Sequence, residues 1–200
     1  MTPPSPTTGT AGPRSLTADE IVEAAGRIVD AHGADALTMR RLADELGVAV
    51  TSIYWHVGNR DELVDALVDR LLADLGTLRP RGTTPRERIA SLTLALRATL
   101  LGRPQLVALA HERRKTAVMF QPVRDAIAVE LDAMGLDGTE APLALRALQL
   151  HVVTSVLLVR TIDRYGTEQP VDAHEAFAFT LEALLDALGA RAARNAGAPS

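Results

Sequence analysis

Residues 50–59 read VTSIYWHVGN and place a phenol, an indole and an imidazole side by side, in a chain that holds one Trp, two Tyr and three Phe. The hydroxyls of Thr51 and Ser52 stand just before them. Arg40 and Arg41 lie upstream and Arg60 directly after. These groups are hydrogen-bond donors and fixed cations rather than a reactive set. Hydroxyl, phenol and imidazole donors suit phosphate oxygens, and a guanidinium matches the two acceptors on the edge of guanine. Chemistry of another kind is poorly served. Outside this region the imidazoles are His32, His111 beside Glu112, His151 and His174, with no histidine pair at i, i+4 spacing, no nucleophile motif and no glycine-rich phosphate loop. The chain therefore reads as a non-enzyme without metal or cofactor.

The elements that must carry these residues are helices. Four stretches, TADE (17–20), NRDE (59–62), TPRE (84–87) and DAHE (172–175), each set a capping side chain three residues before a carboxylate and then start an apolar-periodic run. Strand signals are almost absent, so the spacing predicts an all-α protein. The first helix carries the stripe Ile21, Ala24, Ala25, Ile28, Val29 and stops at Gly33. A short second helix starts near Thr38 and ends at Gly47; a third spans about 49–57; a fourth carries Leu63, Leu67, Leu71 and Leu75 to Gly76. LRPRGTTP (78–85) is the one mid-chain break rich in Pro, Gly, Arg and Thr, and reads as a hinge between a small N-terminal unit and a larger C-terminal one. Further helices are expected over 85–101, 105–111, 122–134, 139–165 and 172–188.

Helix, tight turn with Gly47, and short helix form the helix-turn-helix pattern, whose second helix enters the DNA major groove. Ile53 and Val57 are i and i+4 and share the face that packs on the first two helices. Thr51, Ser52, Tyr54 and His56 then point elsewhere, the hydroxyls toward base edges and the ring donors toward phosphates. The helix after Asn59 offers N–H groups to a phosphate, with Arg60 as a cation. Trp55 is open between packing and DNA contact. Charge alone gives little support: residues 1–79 hold 7 arginines against 12 carboxylates, and the whole chain carries a net −4. Local placement matters more than the sum, because phosphate contacts need nearby cations rather than a basic chain.

LTMRRLADELGVAVTSIYWHVGNRDELVDALV (37–68) resembles the DNA-binding domain of the tetracycline-repressor (TetR) family. The likeness rests on Leu37-Thr38, Arg40, Leu42-Ala43, Leu46-Gly47-Val48, Tyr54-Trp55-His56-Val57, Asn59 and Leu63 with Asp65-Ala66-Leu67, and is good over 15–75. Beyond that it is one of helix number, size and apolar character. The resemblance implies a three-helix DNA-binding domain at 15–62, preceded by a disordered tail at 1–14. A fourth helix would join it to a C-terminal helical ligand-binding and dimerisation domain at 63–200. It implies a homodimer on a palindromic double-stranded operator, its recognition helices roughly 34–36 Å apart, and release by a small-molecule effector. Thr38, Tyr54, Trp55, His56 and Arg60 would correspond to backbone-contacting residues, Arg40 to a reader of guanine, and Val50, Thr51 and Ser52 to residues against bases. A histidine that some members carry at the end of the fourth helix is Gly76 here, and their metal-coordinating histidine has no aligned counterpart, His111 lying one residue out.

Effector candidates are the polar or aromatic residues of apolar helices: His111, Met119, Phe120, His151, Thr154, Ser155 and Phe177. Packing within a satisfied core is the competing reading for each. The helices over 139–165 and 172–188 are apolar on much of their circumference, and either pair with their copies in a second chain or are internal core. The run 147–159 contains Gln149 and His151 and is too short to cross a bilayer, and the N-terminus lacks the apolar core of a signal peptide. A cytoplasmic protein without a membrane partner is expected. The alternative is a ligand-binding dimer that acts through protein partners without specific DNA binding.

Overall fold

The computed structural model describes residues 16–136, 138–165 and 172–197. The expected tail at 1–14 lies outside them. The described residues are all-helical: α1 (Ala18–His32), α2 (Met39–Leu46), α3 (Val50–Val57), α4 (Arg60–Gly76), α5 (Pro85–Gly102), α6 (Pro104–Glu112), α7 (Gln121–Ala133), α8 (Glu140–Tyr165) and α9 (Ala173–Gly197), with single 3-10 turns at Ala34–Ala36 and Thr116–Val118. Two of the predicted starts are complete capping boxes, Thr17 with Glu20 and Thr84 with Glu87.

The chain divides into two compact units between Leu63 and Val64, inside α4. The expected hinge at 78–85 is therefore corrected, because that loop lies wholly within the second unit. It is tied down: Arg81 N–H donates to Ser91 Oγ at 2.8 Å, and Thr83 N–H to Glu87 Oε2 at 2.7 Å. Pro and Gly report the end of a helix, not the end of a domain.

In the first unit α1, α2 and α3 pack on one another. Ile21, Ala24, Ala25, Ile28 and Val29 of α1 meet Leu42 and Ala43 of α2 and Ile53 of α3 in its core. Gly47 closes α2 in the left-handed conformation (φ 67°, ψ 33°), and Val48 N–H reaches back to the Ala43 carbonyl at 3.0 Å. In the second unit α5 packs on α6, α7, α8 and α9. Its buried stripe is Ile89, Leu92, Thr93, Leu96, Arg97 and Leu100.

Helix α9 runs to Gly197, nine positions past the predicted end at Leu188. The apolar stripe thins there, but ARAARNA is rich in strong helix formers. Tertiary contacts also hold it: Asn195 Nδ2 donates to Glu140 Oε2 at 2.6 Å, and Arg191 pairs with Glu140 at 3.3 Å. A second correction concerns α8. Glu140–Val159 is long and apolar enough to cross a bilayer, with mean hydropathy 1.6 over 20 residues. The sequence reading missed it by stopping at the charged Arg146, whose neighbours on both sides are apolar. Leu148, Val152 and Val156 are nevertheless buried, and α8 packs on α5, α7 and α9.

Candidate nucleic-acid interface and ligand cavities

Ile53 is fully buried and fixes the rotation of α3. The residues at other angles are then presented outward by helical geometry. Trp55 is 89% exposed and Tyr54 49% exposed, and Thr51 and His56 are also exposed. Trp55 is therefore not a packing residue of this unit. Its indole lies in solvent beside the exposed Tyr54 and His56 rings. Val50 and Ser52 are half-buried at the start of the helix, and Val57 is half-buried rather than core. No side chain caps α3 at Ala49.

Thr38 is the N-cap of α2, its hydroxyl oxygen accepting from Arg41 N–H at 3.1 Å. The hydroxyl hydrogen stays available to donate outward. Arg40 and Arg41 are exposed one and two positions after the first residue of α2 is set, and neither makes a side-chain hydrogen bond or ion pair with the described residues.

Two expectations change at the start of α4. Arg60 is not a free cation: its Nε donates to the Leu37 carbonyl at 2.9 Å and its Nη2 to the Ala34 carbonyl at 3.1 Å. It braces the segment that leads into Thr38 and Arg40. The N–H groups expected to hold a phosphate are also occupied. Asn59 Oδ1 accepts from Asp61 N–H at 2.8 Å and Glu62 N–H at 3.1 Å, and Glu62 Oε2 accepts from Asn59 N–H at 2.7 Å. The carboxylates of Asp61 and Glu62 satisfy the helix dipole there and oppose a phosphate.

The effector candidates separate into two cavities of the second unit. His111, Met119 and Phe120 line an apolar cavity with Leu96, Val152 and Val156. Its volume is about 20 Å³, room for about one water molecule. His111 Nδ1 lies 3.0 Å from Thr116 Oγ1 at this cavity. His151, Thr154, Ser155 and Phe177 line a second, more open cavity of about 240 Å³ between α8 and α9. There the His151 ring stacks on Phe177 with centroids 4.2 Å apart and planes within 7°. Its Nε2 lies 3.2 Å from the Phe177 carbonyl. Burial holds this imidazole below its ordinary value; the Phe177 carbonyl opposes the shift and the charge of Arg97 adds to it.

Arg97 is the residue that sequence reasoning missed. It is 3% exposed on α5, with its guanidinium 4.5 Å above the Phe177 ring. Its Nε donates to Ser155 Oγ at 2.7 Å, Nη2 to the Ala173 carbonyl at 3.1 Å, and Nη1 lies 3.2 Å from His174 Nδ1. Burial lowers its pKa and the Asp172 carboxylate acts against that. A signal existed: Arg97 stands in register with Ile89, Leu92, Thr93, Leu96 and Leu100, so the stripe itself demanded burial. His151, Ser155 and Phe177 are thus tied to a buried cation and shape the α5–α8–α9 packing. Among the described residues no cluster of three His, Asp or Glu side chains is placed to hold a metal ion.

Comparison with known proteins agrees with this architecture. Residues 21–67 match the model of the bacterial regulatory proteins of the tetR family. An HTH-type transcriptional regulator from Saccharopolyspora erythraea is 31% identical over 162 residues, which are 80% of this chain and 69% of that protein. The class D tetracycline repressor protein of Escherichia coli is 40% identical over 58 residues, 29% of this chain and 27% of that protein. The crystal structure of a single-substitution variant of TetR from Acinetobacter baumannii AYE, in complex with minocycline, superposes with TM-score 0.66 at 30% identity, covering 86% of this chain and 96% of that one. The chain belongs to the TetR family of bacterial regulatory proteins.

Proposed function

We propose that this chain is a ligand-responsive transcriptional repressor that binds a palindromic operator as a homodimer and is released by a small molecule. The observation that carries the reading is the outer face of α3: an exposed Trp, Tyr, His and Thr on a helix whose inner face is locked by Ile53. Thr51, Ser52 and Val50 stand at the end that reaches base edges, and the exposed Arg40 of α2 reads a guanine. Tyr54, Trp55, His56 and the Thr38 hydroxyl serve the phosphates. Arg60 contributes by holding the turn that carries Thr38, so its effect on DNA is indirect.

Exposed apolar side chains support the homodimer. Leu143 is 67% exposed and Phe179 76%, and Leu150 and Leu158 are also exposed. Leu143, Leu150 and Leu158 follow one side of α8 at near-heptad intervals, the pattern of a helix that meets another helix. A minocycline-bound relative supports a small-molecule effector, and this reading puts it in the second unit, where the two cavities lie. Release requires an effector that prefers the conformation unable to bind DNA, since equal affinity for both shifts nothing. Helix α4 is continuous across the boundary at Leu63 and Val64, which makes it the natural lever. The reading assigns no catalysis, metal or cofactor, and places the protein in the cytoplasm, with one side of α8 packed on α5, α7 and α9 and the other meeting a second chain rather than a membrane.

Selection of random duplex DNA on the purified protein tests the proposal. Enrichment of a palindrome bound by two chains is the expected result. A folded dimer that enriches no sequence at low salt would overturn it and favour a ligand-binding dimer that acts through protein partners.

A further inference from the structure

A groove of about 210 Å³ opens between α7 and α8, lined by Arg124 and Arg146 together with Gln121, Pro142 and Leu145. Phe120, itself nearly buried, lines both this groove and the apolar cavity that holds His111 and Met119. On α8 the two hollows share one helical face: Arg146 and Gln149 at one end continue as Val152, Val153 and Val156 at the other. From Arg146 to Val156 that face runs about 15 Å.

Charge is distributed unevenly along it. Several basic side chains of this unit are paired with carboxylates: Arg86 with Glu182 and Asp186, Arg88 with Glu130, Lys115 with Asp69, and Arg191 with Glu140. Arg124 and Arg146 have none among the described residues, and the bond of Arg146 is to the Gln149 amide oxygen at 3.3 Å. Helix α7 begins in the same groove at Gln121, with Pro122 in its first turn and Val123 N–H bonded to the Phe120 carbonyl at 3.3 Å, so the positive charge there is that of the two guanidinium groups. The apolar cavity beyond Phe120 shows only His111 and Thr116 as polar lining, and these engage each other.

We propose that the effector is an amphipathic anion: a carboxylate held by Arg124 and Arg146, joined to an apolar body that displaces Phe120 and opens the closed cavity along Val152, Val153 and Val156. Guanidinium pairs recognise a carboxylate by charge-assisted, bidentate bonds. The body is what the apolar wall selects. Phe120 and Met119, which close the cavity, are the side chains that move; Met has the torsional freedom to do so. This assignment rests on the effector-responsive reading above for its consequence, but it is measurable without DNA.

The test is calorimetric titration of the full chain with two matched pairs, octanoate against octan-1-ol and 2-naphthylacetate against 2-(2-naphthyl)ethanol. In at least one pair the carboxylate should bind about tenfold or more tightly than its alcohol. Arg124→Gln with Arg146→Gln should abolish that preference while the alcohol still binds. Val153→Trp, which fills the apolar end, should weaken both members of the pair with the arginines intact. Circular dichroism melting of each variant confirms that it is folded. Equal binding of acid and alcohol, no binding of any of the four, or a preference that survives loss of both arginines would overturn the assignment. Selection of random DNA by the same preparations separates the two proposals. A palindrome enriched without carboxylate preference removes the effector class alone, whereas carboxylate preference without any enriched sequence removes the regulator.

Discussion

At the scale of single residues, Tyr54 and Arg60 should part company although both belong to the same surface. Tyr54 is outward-facing, so Tyr54→Ala should change stability by no more than about 0.5 kcal/mol while weakening all DNA sequences alike. Arg60→Ala removes two charge-assisted bonds to the Ala34 and Leu37 carbonyls and should lower stability by about 1 kcal/mol. DNA affinity should fall with it, through the displaced Thr38 turn. Urea midpoints and gel-shift titrations on one duplex measure both. Unchanged affinity in Tyr54→Ala would show that α3 does not dock as described.

His151 supplies a pH dependence at the same scale. Burial keeps its folded value below the ordinary 6.5. The unfolded chain therefore takes up a proton near 6.5, and the folded protein only at lower pH. Stability is complete above that ordinary value and declines as pH falls from there toward the folded value. His151→Phe keeps a ring against Phe177 but cannot titrate. It should flatten the part of the melting-temperature decline that occurs between about pH 7 and about 5.5, above the ordinary carboxylate range. An identical decline in both proteins would assign the effect elsewhere.

At the scale of elements, the turns around α3 hold its outer face in place. Gly47 and Gly58 both have positive φ, 67° and 69°, where a side chain is strained. Around Gly47 there is open space, so Gly47→Ala should cost only the backbone term, about 1–2 kcal/mol. A Cβ at Gly58 would run into the Glu62 carboxylate that closes the Asn59 cap. Gly58 also has ψ −141°, outside the left-handed well that Gly47 occupies at ψ 33°, so Gly58→Ala should lose about 1 kcal/mol more, from backbone strain together with the displaced Glu62 bond. Chemical denaturation of the two variants side by side decides the order. Equal losses would show that neither the ψ of Gly58 nor the Glu62 carboxylate adds to the cost of a side chain there.

At the scale of the whole molecule, the exposed apolar side of α8 and Phe179 of α9 predict self-association. Leu150→Glu with Phe179→Glu should give a folded protein that elutes at the mass of one chain where the parent elutes at two. Light scattering on the eluting peak distinguishes them. A parent that is itself monomeric at micromolar concentration would remove the dimer, and with it the need for a palindrome.

The sequence by itself determined the helices and the orientation of α3. Cap residues and apolar spacing are local signals, and Ile53 with Val57 at i, i+4 leaves few other angles for Tyr54, Trp55 and His56. The likeness of 37–68 to one family supplied the kind of partner such a face meets. Only the tertiary structure decided what crosses between elements. It turned Arg60 inward onto Leu37 and Ala34, buried Arg97 against Ser155 and Phe177, and divided seven effector candidates between two cavities. It also put the unit boundary inside α4 and fastened the 78–85 loop within the second unit. Those outcomes depend on partners tens of residues away. A side chain's own neighbours in sequence state its helix and its face, but whether a charge on that face meets water, a carbonyl or a ring is settled by the element that packs against it.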